Sequence, residues 1–277
     1  MKKIFICLIL TICMLMPATC IAEDSVRVPV LMYHSISESV TDNPYDVSKD
    51  LFDSHLKTLT ENGYTPVFLS ELADYVEKGT PLPSKPICLT FDDGYTDNYT
   101  TAFPILKKYN AKATIFVIGV SVGKNTYKDT TFEMSPHFNY NQAREMVKSG
   151  LVDIQSHTFD MHQWAPYEGG IARENILRLN GETVMDYVLK LRQDIEKSRA
   201  KIEGELGKKL YAVAYPSGRY DNVTELTMRN MDIKVTLATT MGINYIKKGD
   251  LSTLYRMNRY NMNNNVNCDV LMNMIEG

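Results

Sequence analysis

Short runs of consecutive apolar residues alternate along the chain with stretches in which apolar residues recur every three or four positions. The first pattern predicts strands buried on both faces, and the second predicts amphipathic helices that cover them. Repeated units of this kind favour an α/β fold with a parallel sheet. The predicted strands are 28–33, 85–91, 113–118, 152–156, 210–215, 235–239 and 255–260, and the predicted helices are 49–62, 70–77, 97–109, 140–149, 184–206 and 222–230. The irregular stretch at about 120–138 predicts a surface insertion near the strand ends.

The first 22 residues, MKKIFICLILTICMLMPATCIA, have a different pattern. Two lysines precede an apolar run, which is followed by Pro17 and a tail of small residues that ends at Ala22. This layout is that of a secretory signal peptide. We expect cleavage after Ala22, which leaves residues 23–277 as one exported domain, secreted or held at the cell surface. Retention of the segment as a membrane anchor, or lipidation of Cys20, are the alternatives.

The composition of the remaining chain excludes two classes of protein. Cleavage would leave only Cys88 and Cys268, too few for a disulfide framework, so the fold has to rest on its apolar core. The chain is long enough for this, because 44% of its 277 residues are hydrophobic. Acidic residues outnumber basic ones already in the full chain, 33 to 30, and no basic stripe is present, which argues against nucleic acid as the main partner. We expect a monomer.

The stretch ICLTFDDGYTDNY, residues 87–99, ends a predicted buried strand in two adjacent carboxylates. Parallel α/β proteins place their chemistry at the carboxyl ends of strands, which is where Asp92 and Asp93 lie. Neighbouring residues on a regular strand point to opposite faces, so both can serve one site only if the strand breaks there. Gly94 supplies the permissive backbone. An ordinary Asp-Gly turn is the alternative interpretation.

The stretch DIQSHTFDMH places His157 at the end of another apolar strand and His162 five residues later. Two ligands on one helix face would be four residues apart, so this spacing predicts a strand-end residue followed by a looped return. Two imidazoles and one carboxylate form a three-ligand set for zinc or a similar divalent ion, with room left for water. Hydrogen-bonded structural histidines are the alternative.

Four segments in this order, VPVLMYHSI, LTFDDGYTDNY, SHTFDMH and AYPSGRYD, resemble motifs of the NodB-like polysaccharide deacetylases of carbohydrate esterase family four. The resemblance spans roughly residues 26–260. It implies a distorted (β/α) barrel with fewer than eight regular units. It also implies metal-dependent hydrolysis of N-acetyl groups on an extracellular amino-sugar polymer.

Carried over by position, the resemblance implies that Asp92 is the general base and that Asp93, His157 and His162 hold the metal. The commonest spacing of the two histidines in the family is four. The spacing of five found here is similar to that of the branch containing the poly-N-acetylglucosamine deacetylases. The metal, zinc by default with cobalt, nickel or manganese as alternatives, would polarise the acetyl carbonyl and lower the pKa of water from about 15.7 towards about 7.

The third motif departs from the family pattern. Much of the family reads Arg-Pro-Pro-Tyr-Gly here, whereas AYPSG has Ala214 in place of the Arg that usually orients the catalytic Asp. Arg256 or Arg259, in YRMNRY, can replace it, or Asp92 is held differently. The departure also leaves a second interpretation open, in which the protein binds glycans or the cell wall with little or no turnover.

The same motif places Ser217 where the family has Tyr. The backbone N–H of Ser217 can still stabilise the tetrahedral oxyanion, because that role does not depend on the side chain. Tyr215 and Pro216 are predicted to shape the floor of the pocket, unless they simply end a strand.

The general acid also requires a substitute, because many relatives use a C-terminal histidine and none follows His162 here. His34 is our prediction, since it ends the apolar run VPVLMY and resembles the histidine given this role in the poly-N-acetylglucosamine branch. His55, in a predicted helix with a polar face, and His137, in the irregular insertion, are placed less well.

Two residues near His162 have a functional and a structural interpretation each. Trp164, the single tryptophan, either stacks on a sugar ring or caps the core. Asp160 either orients an imidazole or lies in a solvated turn. The expected partner is an acetylated amino-sugar polysaccharide: poly-N-acetylglucosamine, peptidoglycan or a chitin-like oligomer.

Overall fold

The computed structural model describes residues 25–277, so the predicted signal peptide lies outside the described residues. The strands are β1 (Ser25–Val28), β2 (Val30–Tyr33), β3 (Ser35–Ser37), β4 (Asp46–Ser48), β5 (Thr65–Pro66), β6 (Pro86–Phe91), β7 (Ala113–Val117), β8 (Val152–Ser156), β9 (Ala212–Ala214), β10 (Val235–Leu237), β11 (Asn244–Lys247) and β12 (Tyr260–Asn261). The α-helices are α1 (Lys49–Glu61), α2 (Leu69–Lys78), α3 (Phe103–Tyr109), α4 (Tyr140–Lys148), α5 (Val184–Leu206), α6 (Asn222–Arg229) and α7 (Cys268–Glu276).

A parallel sheet forms the centre of the fold. Its strands follow the order β10, β9, β8, β7, β6, β2, β12, and β5 also pairs with β6. Both faces of the strands are buried: Leu31, Leu89 and Ile154 pack in one apolar cluster, while their neighbours Val30 and Cys88 pack in another. A strand buried on both faces has to be nearly continuously apolar, which is the pattern that predicted it. The α/β prediction is confirmed.

The two ends of this sheet are joined by the segment that precedes and includes β12. Met257 donates its backbone N–H to the Thr236 carbonyl in β10, and Met262 donates its own to the Met32 carbonyl in β2. The sheet therefore curls into a distorted barrel with fewer than eight regular strand–helix units, as predicted. The carboxyl ends of its parallel strands consequently meet at one end of the barrel.

Several elements differ from the sequence-based expectation. The strand predicted at 255–260 is regular only at Tyr260–Asn261, and the chain end, which has no predicted element, forms helix α7. The predicted helix 97–109 begins with a π-helical turn, Asn98–Ala102, before α3. Short strands such as β3 and β11 carry too little apolar pattern to be recognised. Within residues 25–277, no helix has the length and apolar character needed to cross a membrane.

Candidate metal centre and its cavity

The carboxylate pair lies where β6 ends and the chain breaks out of the sheet. Asp93 and Gly94 both adopt left-handed backbone conformations, with φ of 71° and 84°. A side chain at position 94 would also bring its Cβ to 2.9 Å from Val117 Cγ1, so glycine is required there on two counts. This break lets Asp92 and Asp93 line one cavity, as the sequence predicted.

The two histidines of the second motif reach the same cavity from the carboxyl end of β8. The Nδ1 of His157 lies 2.8 Å from the Ala214 carbonyl, and the Nδ1 of His162 lies 3.0 Å from the Glu174 carbonyl. A carbonyl oxygen accepts a proton, so these contacts place the proton of each neutral ring on Nδ1. Each Nε2 is thereby left as an acceptor, and it faces Asp93.

These three residues fit a divalent metal ion. The Nε2 atoms of His157 and His162 lie 3.6 and 3.9 Å from Asp93 Oδ1, and the three ligand atoms lie within 4.8 Å of one another. Asp93 Oδ1 is buried and has no hydrogen-bond partner, which is unusual for a buried carboxylate oxygen. Burial lowers the pKa of His157 to about 4, so its imidazole is neutral and able to coordinate at neutral pH. This donor set suits zinc.

Asp92 is held by an ion pair rather than by the metal ligands. The Arg259 guanidinium donates to both carboxylate oxygens, at 2.7 and 2.8 Å, and Arg259 is completely buried. Burial opposes the charge of Asp92, but the adjacent Arg259 and His157 outweigh it and hold the pKa of Asp92 well below its usual range. Asp92 is therefore an oriented carboxylate that stays ionised at neutral pH.

Of the two arginines that the sequence offered as substitutes, only Arg259 reaches Asp92. It lies in the segment that joins both ends of the sheet, which directs its side chain into the barrel and also lets its Nε donate to the Ala238 carbonyl at 2.8 Å. Arg256 is exposed on the surface and has a left-handed backbone, with φ of 58°. The prediction that Arg256 supports the site is therefore not upheld by its position.

The other predicted catalytic residues line the same cavity of about 960 Å³. His34 follows β2 directly, and its Nδ1 is buried without a hydrogen-bond partner. Ser217 has a left-handed backbone, with φ of 54°, and Gly218 beside it approaches Thr239 so closely that a Cβ would lie 2.7 Å from the Thr239 nitrogen. This tight approach fixes the direction of the peptide group at Ser217.

Tyr215 and Pro216 do not lie where the sequence prediction placed them. Neither lines the cavity. Tyr215 is fully buried in the core, with its hydroxyl donating to Glu225 at 2.9 Å and its ring stacked on Tyr220. Tyr215 directly follows β9, and its side chain points away from the cavity. The position of the pair therefore supports the alternative interpretation, in which the two residues simply end a strand.

The residues flanking His162 take different positions. Trp164 lines the cavity mouth, is half exposed, and stacks on Tyr167 at 5.6 Å between ring centroids. Asp160 contacts neither imidazole and pairs instead with Lys128 at 2.9 Å. Its predicted role in orienting a histidine is not supported, because backbone carbonyls already bind both Nδ1 atoms.

Sequence reasoning missed Asp194, which holds the loop between the two histidines. Its two carboxylate oxygens accept the N–H groups of Phe159 and Asp160, both at 2.7 Å. Asp194 lies on α5, on the same buried face as Leu191 and Ser198. A carboxylate within the apolar stripe of a helix is a signal that could have revealed it, because buried charges are rare unless they are bound.

The insertion between β7 and α4 was predicted near the site, but the contribution of its side chains was not. His137 is only 9% exposed, lines the cavity, and packs on Tyr95 with ring centroids 5.1 Å apart. The Asp93 carboxylate lies near Tyr95, and burial together with that negative charge raises the pKa of the Tyr95 hydroxyl.

Comparison with known proteins agrees with this geometry. The protein-family model described as polysaccharide deacetylase matches residues 79–236 of this chain. The protein YxkH of Bacillus subtilis (strain 168) is 34% identical over 202 residues, which are 73% of this chain and 61% of YxkH. The poly-beta-1,6-N-acetyl-D-glucosamine N-deacetylase of Staphylococcus aureus (strain MRSA252) is 28% identical over 174 residues, which are 63% of this chain and 54% of that protein.

A solved de-N-acetylase from Aggregatibacter actinomycetemcomitans is similar in structure, with a TM-score of 0.75 and 27% sequence identity. The likeness covers 90% of this chain and 100% of that one. The chain spans less than two thirds of the length of the two relatives named above. The family model matches more than half of the chain, and the fold and the motif residues are those of its similar proteins. The chain therefore belongs to the polysaccharide deacetylase family.

Proposed function

We propose that the protein is a metal-dependent hydrolase that removes N-acetyl groups from an extracellular amino-sugar polymer. One observation carries the proposal: three metal-ligand atoms within 4.8 Å of one another lie beside a carboxylate that a buried arginine holds ionised. A site that only bound sugars would have no use for a second buried carboxylate next to a metal site. The Arg259 pair also replaces the missing third-motif arginine, which is one of the two departures that favoured a protein without turnover, the other being the missing C-terminal histidine.

In the proposed reaction, Asp93, His157 and His162 bind the metal, and Asp92 accepts a proton from the attacking water. A divalent ion at this site, with zinc as the first candidate, would supply the positive charge that polarises the acetyl carbonyl and acidifies water. Arg259 fixes the plane of Asp92, which keeps an oxygen of this carboxylate aimed at the water.

Two further residues complete the reaction. The backbone N–H of Ser217 donates to the oxyanion that forms when water adds to the acetyl carbon. His34 then protonates the leaving amine, so that the C–N bond breaks into acetate and a free amino sugar. Trp164, at the cavity mouth, contacts a neighbouring sugar ring of the polymer.

We infer poly-β-1,6-N-acetylglucosamine as the first substrate to test. The Staphylococcus aureus relative bears the name of a deacetylase of this polymer, and the five-residue spacing of the histidines is similar to that branch. Export by the predicted signal peptide would bring residues 23–277 to such a polymer as one secreted or surface-held domain. Peptidoglycan and chitin-like oligomers are the other candidates.

The test is incubation of the zinc-loaded protein with β-1,6-linked N-acetylglucosamine oligomers, chitin oligomers and peptidoglycan fragments. Mass spectrometry then counts lost acetyl groups. Loss with the wild type and none with Asp92→Asn, which keeps all three metal ligands, would support the proposal. Stoichiometric zinc binding without acetyl loss on any of the three would overturn it and favour a glycan-binding protein.

A further inference from the structure

Buried polar atoms without a partner are concentrated in the cavity. Such atoms are rare in folded proteins, because a polar atom that is buried without a partner loses its hydrogen bonds to water and gains none in return. Within residues 25–277 there are five on side chains, and four belong to residues that line the cavity. These four are His34 Nδ1, Asp93 Oδ1, His137 Nδ1 and Asn261 Oδ1.

The proposed reaction uses only two of these four residues. Asp93 is a metal ligand, and His34 protonates the leaving amine. His137 and Asn261 have no role in the chemistry, yet each lines the cavity and carries a buried polar atom without a hydrogen-bond partner. Two unused hydrogen-bonding atoms in a preformed cavity are what recognition of a polar ligand requires.

The backbone fixes His137 relative to the metal ligands. The insertion is tied to the loop after Asp93 by two hydrogen bonds, from Thr96 N–H to the Pro136 carbonyl at 2.7 Å and from Phe138 N–H to the Gly94 carbonyl at 3.2 Å. The ring of His137 is further held by Tyr95. Its position is therefore set before any substrate binds.

Asn261 is fixed by the same segment that carries Arg259. It lies in β12, which pairs with β2 at Met32. Asn261 also lines the cavity that holds the three candidate metal ligands. Its Oδ1 is a hydrogen-bond acceptor and requires an O–H or N–H group from the ligand.

We propose that His137 and Asn261 form a sugar-recognition pair that binds hydroxyl groups of the ring bearing the scissile acetamide. The proposal rests on the proposed function for the identity of that ring. A hexosamine ring carries hydroxyl groups around the acetamide, whereas a simple N-acetylated alkylamine carries none. The pair would thus select an amino sugar over other acetylated molecules, because a substrate without those hydroxyls leaves two buried polar atoms unpaired.

The test uses binding, so that it does not depend on turnover. Zinc-loaded Asp92→Asn protein is titrated calorimetrically with an N-acetylglucosamine oligomer and with analogues in which single ring hydroxyls are replaced by hydrogen. In the parent we expect at least one analogue to bind about tenfold more weakly, the size of one lost buried hydrogen bond. Adding His137→Ala or Asn261→Ala should abolish the penalty for the hydroxyl that the residue contacts.

Two further variants control this measurement. Asn43 also lines the cavity, but its amide already donates to Asp46 and accepts from Tyr45 N–H, so Asn43→Ala should leave every hydroxyl penalty unchanged. His137→Gln and Asn261→Asp retain an acceptor and should restore part of the coupling. Circular dichroism confirms that each variant is folded.

The outcomes separate this proposal from the proposed function. Coupling between a hydroxyl and either residue, without acetyl loss by the wild type, would support the recognition pair and overturn the deacetylase. Acetyl loss with hydroxyl penalties identical in His137→Ala, Asn261→Ala and Asn43→Ala would overturn the pair alone. Failure of the folded, zinc-loaded protein to bind any oligomer would also overturn it.

Discussion

Among single residues, Arg259 has the largest influence on the charge of the site. Replacing it with Met leaves burial to act on Asp92 without its main cation, so the pKa of Asp92 should rise. The acidic limb of the pH profile of kcat/KM should therefore move to higher pH, and activity at neutral pH should fall by about 10²-fold or more. Steady-state deacetylation measured between pH 4 and pH 9 checks this.

Two variants make the Arg259 measurement interpretable. Arg259→Lys keeps the positive charge but cannot donate to both carboxylate oxygens in one plane, so it should shift the pH profile less while still lowering kcat. Arg256→Met removes an exposed arginine three residues away and should leave the profile unchanged. An Arg259→Met profile that coincides with the wild type would contradict the assigned role.

Between elements, the contact of helix α5 with the histidine loop is expected to set metal affinity. In Asp194→Asn, only one amide oxygen remains to accept the two N–H groups of Phe159 and Asp160. We expect zinc to bind about 10–100-fold more weakly, as is typical when a residue that supports a metal site is lost. Competition with a fluorescent zinc chelator measures the affinity.

Asp153 offers a matched control for this experiment. It is a half-buried carboxylate on β8 that accepts from the Tyr211 hydroxyl at 2.7 Å and touches no part of the histidine loop. Asp153→Asn should therefore retain the zinc affinity of the wild type, even where its stability falls. Equal zinc affinities for Asp194→Asn and the wild type would show that α5 only covers the barrel.

Helix α1 makes a second contact between elements through His55, which is fully buried and not on a polar face. Its Nδ1 lies 3.1 Å from the Tyr33 hydroxyl in β2, and its Nε2 lies 2.7 Å from the Val266 carbonyl before α7. Burial lowers its pKa to about 4, whereas the unfolded chain has an ordinary value near 6.5.

Between these two pH values the unfolded chain binds a proton that the folded protein does not. The stabilising contribution of neutral His55 is thus complete above about pH 6.5 and is lost as the pH falls towards 4, by roughly 3 kcal/mol in all. His55→Gln, which cannot titrate, should show a correspondingly smaller loss. Urea unfolding with chelator present, at pH 4.5 and pH 7.5, tests this, and parallel pH dependences would refute it.

For the whole molecule, zinc should raise the unfolding temperature, because the three ligands come together only in the folded chain. Zinc at 100 times its Kd would add about 2.7 kcal/mol to the free energy of unfolding, a shift of several degrees for a protein of this size. Asp93→Asn should lose this shift. Scanning fluorimetry with zinc or chelator measures it, and an equal shift in Asp93→Asn would place the zinc elsewhere.

The main strands and helices of the barrel, and the four residues that meet at its centre, were predictable from the sequence. Buried strands and covering helices follow periods of hydrophobicity that extend over a few residues, so neighbouring residues suffice to identify them. Asp92, Asp93, His157 and His162 likewise follow apolar strands directly, and parallel strands bring their carboxyl ends together. The sequence by itself therefore determined the main sheet and the end of the barrel at which these four residues meet.

Only the tertiary structure decided which residues support that set. Arg259 pairs with a carboxylate 167 positions earlier, because the segment around it joins both ends of the sheet. Asp194, His137 and Asn261 reach the site from a helix, an insertion and a short strand, whereas Tyr215 turns into the core. Such contacts depend on how distant elements pack and on which atoms lose their water there, and neither is written in any local stretch of the chain.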